Sequence, residues 1–327
     1  MNLACWIGKL NSTCHVRKSM QIPVIHDNDG HVDDLLSTVL LWLAPQVHLE
    51  AVTITNGDCY VQQAYEAVLK MATYLDLEGA EVGLSEDPCI NDFPENWRRE
   101  SYIINELPIF SENALKKSYQ TGRPRKTQSL IADVLANSKA PVTIVTTGPL
   151  TNVAPIFTQR PELKENISEI VMMGAAINVP GNVEQPEHDG SAEWNFYADP
   201  PAAKVVFDSG VPLRIIPLDV TNKVPITKEF LSKLDEQAET YRASRLAAKV
   251  YSLVKGFNYY FWDTLTAAAV VRPELFTFKD MRIDVSTTGK SQGKTAPVFF
   301  GGRKVKVATD LQKDAFADLV LEIFRAK

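Results

Sequence analysis

Short strand-like runs alternate with longer amphipathic runs along this chain, and this alternation constrains the fold more than any other feature. Behind the apolar run Ile22–His26, for example, Leu36, Val39, Leu40 and Leu43 recur at helical spacing. Strands are predicted at Ile22–His26, Ala51–Thr55, Val142–Thr146, Glu169–Met173 and Leu213–Pro217. Helices are predicted at Asp33–Leu43, Val61–Tyr74, Ser129–Asn137, Thr151–Phe157 and Pro200–Phe207. The alternation indicates an α/β fold with a single open, mostly parallel, Rossmann-like central sheet flanked by helices.

Length and composition fit one extended α/β domain. The chain has 327 residues, of which 45% are hydrophobic and 23% are charged, as in ordinary globular proteins. We expect a single domain over residues 21–327, preceded by an N-terminal arm formed by residues 1–20. Residues 86–125 are rich in Pro, Asn, Arg and aromatic residues and predict a long surface excursion, a kind of segment that often carries function.

Charge, cysteine content and hydropathy argue against several classes of protein. The net charge of −6 gives no reason to expect nucleic acid or an anionic membrane as a partner. The four cysteines include no CxxC pair, so neither a disulfide framework nor a zinc ribbon is predicted. No apolar run reaches the length of a membrane span, and a soluble, cytoplasmic protein is expected.

Four carboxylates stand within residues 27–34, where the first strand should give way to the first helix: Asp27, Asp29, Asp33 and Asp34. Like charges at this density repel unless a cation neutralises them, and oxygen ligands suit calcium or magnesium. A simpler alternative is a helix N-terminus decorated with acidic residues, which would favour the helix dipole. That alternative accounts for Asp33 and Asp34 but not for Asp27 and Asp29 on the strand side.

Three known motifs compete for this acidic segment. An EF-hand loop needs Glu at its twelfth position, where this chain has Thr38. Haloacid-dehalogenase-type phosphatases share the Asp-x-Asp-Gly opening, but His31 is unusual there and the Asp33-Asp34 pair is not required. The nucleoside hydrolase family opens with Asp-x-Asp-x-x-x-Asp-Asp, which residues 27–34 match fully.

Further segments carry the same resemblance in the order that the family has them. They are Thr147–Asn152, Gly181-Asn182, Ala192–Asn195, Asp199-Pro200, Trp262-Asp263 and Leu265–Ala268. The set runs from about Val24 to Val270, and its order makes it far more specific than any one segment. The chain resembles in particular the purine-preferring (inosine-adenosine-guanosine) branch, through Phe93–Arg98 and Asp189–Asn195.

The resemblance implies a calcium-dependent hydrolase that cleaves the N-glycosidic bond of purine ribonucleosides such as inosine, adenosine and guanosine. Calcium would be held by the side chains of Asp29, Asp34 and Asp263 and by the main-chain carbonyl of Thr147. Asp29 would also be the general base for the attacking water, whereas Asp27 would orient the loop. The ribose would be bound by four side chains, those of Asp33, Asn182, Glu193 and Asn195. Family members are dimers or tetramers, and a homodimer is expected here.

The leaving-group side of the site is the most distinctive part of this sequence. Pyrimidine-accepting members of the family place a His directly before the last metal-binding Asp, but here that position is Trp262. Trp97 stands in a polar segment, and the two tryptophans could stack on a purine, whereas Trp194 is expected in the core. His31, in a position where the purine-preferring branch often has Asn, and Asp58, which follows the second strand, are expected near the base.

Two other functions stay open at the level of sequence. A metal-dependent phosphatase of the haloacid dehalogenase type would attack through Asp27, would prefer magnesium and would not need Asp263. A non-catalytic nucleoside-binding member of the family is the second alternative, although the complete set of acidic residues argues against it.

Overall fold

Residues 21–111 and 122–326 are described by a computed structural model of the chain. Within them, ten strands form one sheet in the order β4-β3-β2-β1-β5-β6-β7-β10-β8-β9. The strands are β1 Ile22–Asn28, β2 Val47–Ile54, β3 Glu81–Leu84, β4 Arg125–Lys126, β5 Val142–Thr146, β6 Ile167–Met173, β7 Leu213–Ile216, β8 Phe276–Val285, β9 Thr295–Pro297 and β10 Arg303–Leu311. Strands β1 to β7 and β10 pair in parallel, and β8 and β9 add an antiparallel edge.

Helices connect these strands and cover both faces of the sheet. They are α1 Val32–Leu43, α2 Val61–Leu75, α3 Glu95–Arg98, α4 Glu100–Asn105, α5 Pro108–Ser111, α6 Thr127–Asn137, α7 Ala154–Gln159, α8 Trp194–Ala198, α9 Pro200–Asp208, α10 Leu218–Thr221, α11 Lys228–Ala238, α12 Arg242–Tyr251, α13 Trp262–Val271 and α14 Lys313–Ile323. Short 3₁₀ turns lie at Pro161–Asn166, Ser252–Val254 and Pro273–Leu275. No helix among the described residues is long and apolar enough to cross a membrane.

The period of two along a strand explains why the central strands are apolar on both sides. Val24 packs into the hydrophobic cluster that α1, α2, α12, α13 and α14 share, whereas its neighbour Ile25 packs into the cluster under α6, α7 and α9. Parallel strands buried on both faces read as short continuous apolar runs, which is what Val142–Thr146 shows. The predicted mostly parallel α/β sheet is therefore confirmed.

Differences from the predicted elements fall at boundaries and at the sheet edges. The strand Val142–Thr146 is confirmed, but the helix expected from Thr151 begins at Ala154, because residues 150–153 form a turn closed by Val153 N–H and the Leu150 carbonyl at 3.1 Å. The excursion at residues 86–125 contains α3, α4 and α5 as far as it is described. The predicted N-terminal arm lies outside the described residues.

Candidate active site

The carboxyl ends of β2, β1 and β5 are neighbours in the sheet, and the candidate site lies just beyond them. One cavity of about 490 Å³ opens there. It is lined by every side chain that the sequence singled out for the metal, the ribose or the base, namely Asp29, Asp34, Thr147, Asp263, Asp33, Asn182, Glu193, Asn195, Trp97, Trp262, His31 and Asp58.

Two glycines let the chain approach itself closely at this edge. Gly30 has φ +88° between β1 and α1, and a Cβ there would clash with the side chain of Ala64. At Gly57 a Cβ would clash with the carboxylate of Asp29. The backbone N–H of Asp58 reaches that carboxylate and donates to it at 2.9 Å.

Three carboxylates from two helix N-termini form the densest acidic cluster at the floor of the cavity. Asp33 and Asp34 lie in the first turn of α1, Asp263 lies in the first turn of α13, and one oxygen of each lies within 4.8 Å of the others. All three side chains are buried. Asp29 adjoins the cluster through a side-chain interaction with Asp34. Helix N-termini favour negative charge, so the two helices together can hold this cluster.

The electrostatics of the floor call for a cation. Burial, followed by repulsion from the neighbouring carboxylates, raises the pKa of Asp34 and of Asp263 well above its ordinary value. Among the described residues that line the cavity there is no lysine or arginine, and the histidine there, His31, lies beside Asp33 and Glu100. Carboxylate and carbonyl oxygens are the donors that calcium prefers, so these residues fit the metal that the sequence implied.

Thr147 joins the end of β5 to the acidic cluster in two ways. Its hydroxyl donates to Asp34 Oδ1 at 2.5 Å, and its main-chain carbonyl accepts the Asn195 amide at 3.0 Å. Behind it, away from the cavity, the His26 ring lies between the Thr38 and Thr147 hydroxyls at 2.9 and 3.0 Å. Burial lowers the pKa of His26 to about 3, so this ring is neutral.

Asn182 and Glu193 come from the segment between β6 and α8. The Glu193 carboxylate caps α8 by accepting the backbone N–H of Asn195 at 2.9 Å, and it also accepts the N–H of Ala175 at 3.2 Å. Burial raises the pKa of Glu193 to about 7. Asn182 Oδ1 accepts the backbone N–H of Trp194 at 3.0 Å, so both side chains shape the loop as well as line the cavity.

Aromatic side chains line a second part of the cavity, the aromatic end. Trp97, on α3, is 36% exposed and touches the buried Trp194 edge-on, with ring centroids 5.4 Å apart. Trp262, at the start of α13, packs edge-on against Tyr259 at 4.8 Å. Trp194 belongs to a buried cluster with Phe93, which confirms the expectation that it is a core residue.

His31 has two polar partners that the sequence did not indicate. Its Nδ1 lies 2.8 Å from the hydroxyl of Tyr259, and its Nε2 lies 3.2 Å from a carboxylate oxygen of Glu100. The Tyr259 hydroxyl in turn donates to Asp33 Oδ1 at 2.6 Å, which links the base end of the cavity to the floor. The only signal for Tyr259 was its place four residues before Asp263, and Glu100 had none beyond the surface excursion itself.

Comparison with known proteins accounts for this arrangement. The model of the inosine-uridine preferring nucleoside hydrolase family matches residues 24–318. The chain belongs to the nucleoside hydrolase family. It is accordingly a ribonucleoside hydrolase, as the resemblance implied. Among solved structures, the inosine-uridine preferring nucleoside hydrolase from Bacillus anthracis is similar with a TM-score of 0.89 and 31% identity, over 94% of this chain and 100% of that chain.

The names of the relatives of this nucleoside hydrolase differ in the base that they state. The pyrimidine-specific ribonucleoside hydrolase RihA of Salmonella newport (strain SL254) is 33% identical over 93% of this chain and 98% of its own length. The purine-preferring ribonucleoside hydrolase from Gardnerella vaginalis has a TM-score of 0.75 at 24% identity, covering 93% of this chain and 98% of its own, and shows the fold alone. The curated relatives therefore do not support the predicted placement in the purine-specific branch.

Proposed function

We propose that this nucleoside hydrolase uses calcium to hydrolyse purine ribonucleosides to the free base and ribose. The observation that carries the proposal is one cavity with two unlike ends: a floor of buried carboxylates and an aromatic end that includes Trp97 and Trp262. A carboxylate floor suits a cation and a positively charged ribosyl transition state. An aromatic end suits a flat base.

Hydrolysis forms a bond between a water oxygen and C1′ of the ribose and breaks the bond between C1′ and the base nitrogen. Asp29 accepts the proton of the attacking water and later releases it to solvent, and the bonding electron pair departs with the base, which takes up one proton from solvent at its imidazole nitrogen. The ribosyl group develops positive charge on the way, and the carboxylates of Asp33, Asp34 and Asp263 stabilise it.

Asp29, Asp34, Asp263 and the main-chain carbonyl of Thr147 would hold calcium. When bound, calcium lowers the pKa of a coordinated water and fixes the position of the ribose diol. Asp33 would accept a hydrogen bond from the 2′-hydroxyl. Asn182, Glu193 and Asn195 would bind the 3′- and 5′-hydroxyl side of the sugar, consistent with their common place on the cavity wall.

The purine preference rests on this chain's own residues. The curated relative named above is pyrimidine-specific by name, but the position before Asp263, which is His in pyrimidine-accepting members, is Trp262 here. Two tryptophans offer more stacking area to a two-ring base than to a one-ring base. Asp58, which lines the same cavity, has a buried Oδ1 with no hydrogen-bond partner, which leaves it available to an N–H donor such as a protonated purine.

A phosphatase reaction finds no support in the geometry. It would need Asp27 as the nucleophile, but Asp27 is fully buried, does not line the cavity, and accepts hydrogen bonds from Thr53 at 2.6 Å and Asn152 at 2.9 Å. These contacts suit the expected role of orienting the loop.

Three further expectations stay predictions: a homodimer, a single domain over residues 21–327 and a cytoplasmic location.

Product analysis tests the proposed function directly. Inosine is incubated with the protein in calcium, and inosine monophosphate is incubated in magnesium and in calcium. We expect hypoxanthine and ribose from inosine, loss of that activity after exhaustive chelation, recovery with calcium, and no phosphate release. Phosphate release would indicate the phosphatase, binding of inosine without hydrolysis would indicate the non-catalytic member, and full activity after chelation would remove calcium from the proposal.

A further inference from the structure

His26 is a polar residue where the fold expects an apolar one. It lies near the end of the central strand β1, is fully buried, and does not line the cavity. Its neighbour in the alternating pattern, Val24, packs in the hydrophobic core. Burying a polar ring is unfavourable unless its nitrogens are hydrogen-bonded, and both nitrogens of His26 are, to hydroxyls from two different elements.

The direction of these hydrogen bonds follows from counting protons. The Thr147 hydroxyl has one proton, and a carboxylate is its stronger acceptor, so it donates to Asp34 at 2.5 Å. Its oxygen is then free to accept, and the donor must be His26 Nε2 at 3.0 Å. A neutral ring has a single N–H, so Nδ1 is an acceptor, and the Thr38 hydroxyl shares its one proton between Nδ1 at 2.9 Å and the main-chain carbonyl of Asp34 at 3.0 Å. The donors to the metal site therefore run from His26 Nε2 through the Thr147 hydroxyl to the Asp34 carboxylate.

We propose that His26 is a positioning residue for the metal site: its Nε2–H fixes the Thr147 hydroxyl toward Asp34, and so orients two of the groups that would hold calcium. The inference rests on the calcium site of the proposed function. Thr147 would contribute its main-chain carbonyl, and the hydrogen bond from its own side chain to Asp34 ties the two ligands together. Partners behind a metal ligand typically change metal affinity about 10- to 100-fold when they are removed.

Three substitutions separate this role from simple burial. His26→Leu keeps an apolar side chain of similar reach and removes both nitrogens. His26→Gln can place an amide N–H near the position of Nε2, whereas His26→Asn reaches only the position of Nδ1. His48, on β2 with a 55% exposed side chain, supplies the matched control His48→Gln.

The measurement is calcium affinity by titration calorimetry on chelator-stripped protein, together with the melting temperature with and without calcium. We expect His26→Leu and His26→Asn to bind calcium about 10- to 100-fold more weakly than the wild type. His26→Gln should retain most of the affinity, and His48→Gln all of it. Thr147→Val, which keeps the carbonyl and loses the hydroxyl, should match His26→Leu, and the double variant should add little because one chain of bonds is broken in each case.

The inference is overturned if His26→Leu binds calcium as tightly as the wild type and its melting temperature is lowered equally in calcium and in chelator. His26 would then be a packing residue. If His26→Leu does not fold, equal calcium affinities for His26→Gln and His26→Asn overturn it instead. Wild-type protein that binds no calcium would remove the inference together with the proposed metal site. Tight wild-type binding that none of the His26 variants weakens would remove the inference alone.

Discussion

The two ends of the cavity are built in different ways. At the floor, Asp29, Asp34 and Asp263 are buried and stand at a strand end or in the first turn of a helix that packs in the core. At the aromatic end, Trp97 lies on a helix of four residues and is 36% exposed, and Phe257, in the segment between α12 and α13, is 75% exposed. The floor is fixed by the whole fold, whereas the aromatic end depends on short surface segments.

This difference indicates how the reaction and its specificity are divided. Residues anchored at the carboxyl ends of a parallel sheet can be held in the position and orientation that bond cleavage requires. Surface segments can change in sequence without disturbing the core, so they can set the preferred base.

The largest effect should appear when the substrate loses a group that the floor binds. We expect kcat/KM for 2′-deoxyinosine to be about 10⁴- to 10⁵-fold below that for inosine, because the missing hydroxyl leaves buried polar groups without a partner. The glycosidic bond of a deoxynucleoside is chemically the weaker one, so a loss cannot come from the substrate's own reactivity. Comparable efficiencies on the two substrates would contradict the ribose-binding role of the floor.

Substitution of the proposed base should have the next largest effect. Asp29→Asn should lower kcat by about 10²- to 10⁴-fold, with a further contribution from weaker metal binding, while inosine still binds. Single-turnover rates and inosine titrations separate these contributions, and the melting temperature checks the fold. Near-normal turnover of a folded Asp29→Asn protein would exclude Asp29 as the base.

A change at the aromatic end should be smaller and should depend on the leaving group. Trp262→Ala should lower kcat/KM for inosine by about 5- to 150-fold, the rate equivalent of one stacking interaction. The loss should appear partly in kcat and should be much smaller for a riboside with a chemically activated leaving group. Trp42→Ala, remote from the cavity, is the matched control for loss of a large ring. Equal losses on both substrates would make Trp262 a scaffold residue.

The smallest effect concerns stability, and it should come from buried carboxyls in and behind the cavity. Burial raises the pKa of Asp27, Asp58 and Glu193 to about 7, above their ordinary values near 4. A carboxyl whose pKa is raised on folding stabilises the fold at low pH, and this contribution is lost as the pH rises through about 7. Metal-free protein should therefore melt several degrees lower at pH 8 than at pH 5, and calcium should reduce the difference. If the melting temperature of the metal-free protein instead rises from pH 5 to pH 8, the pKa values of these carboxyls are not raised in the folded protein.

The floor was largely predictable from sequence, because Asp29, Asp33 and Asp34 are neighbours along the chain and the end of a strand is a local signal. The network around His31 was not, because its partners Glu100 and Tyr259 lie 69 and 228 residues away.

The antiparallel edge of the sheet was not predicted from the sequence either. Strand β8 is mostly exposed and polar between Phe276 and Ile283, so it lacks the apolar run that marks the central strands.

The central test of the division between the two ends compares the hydrolysis of a purine nucleoside with that of a pyrimidine nucleoside. The measurement is kcat/KM for inosine and for uridine on the calcium-loaded wild-type protein, from initial rates of base release. We expect hydrolysis of both through the same floor, with inosine strongly preferred because Trp97 and Trp262 stack on its two rings and no His precedes Asp263. If uridine is hydrolysed as efficiently as inosine, or more so, the two tryptophans do not set the choice of base.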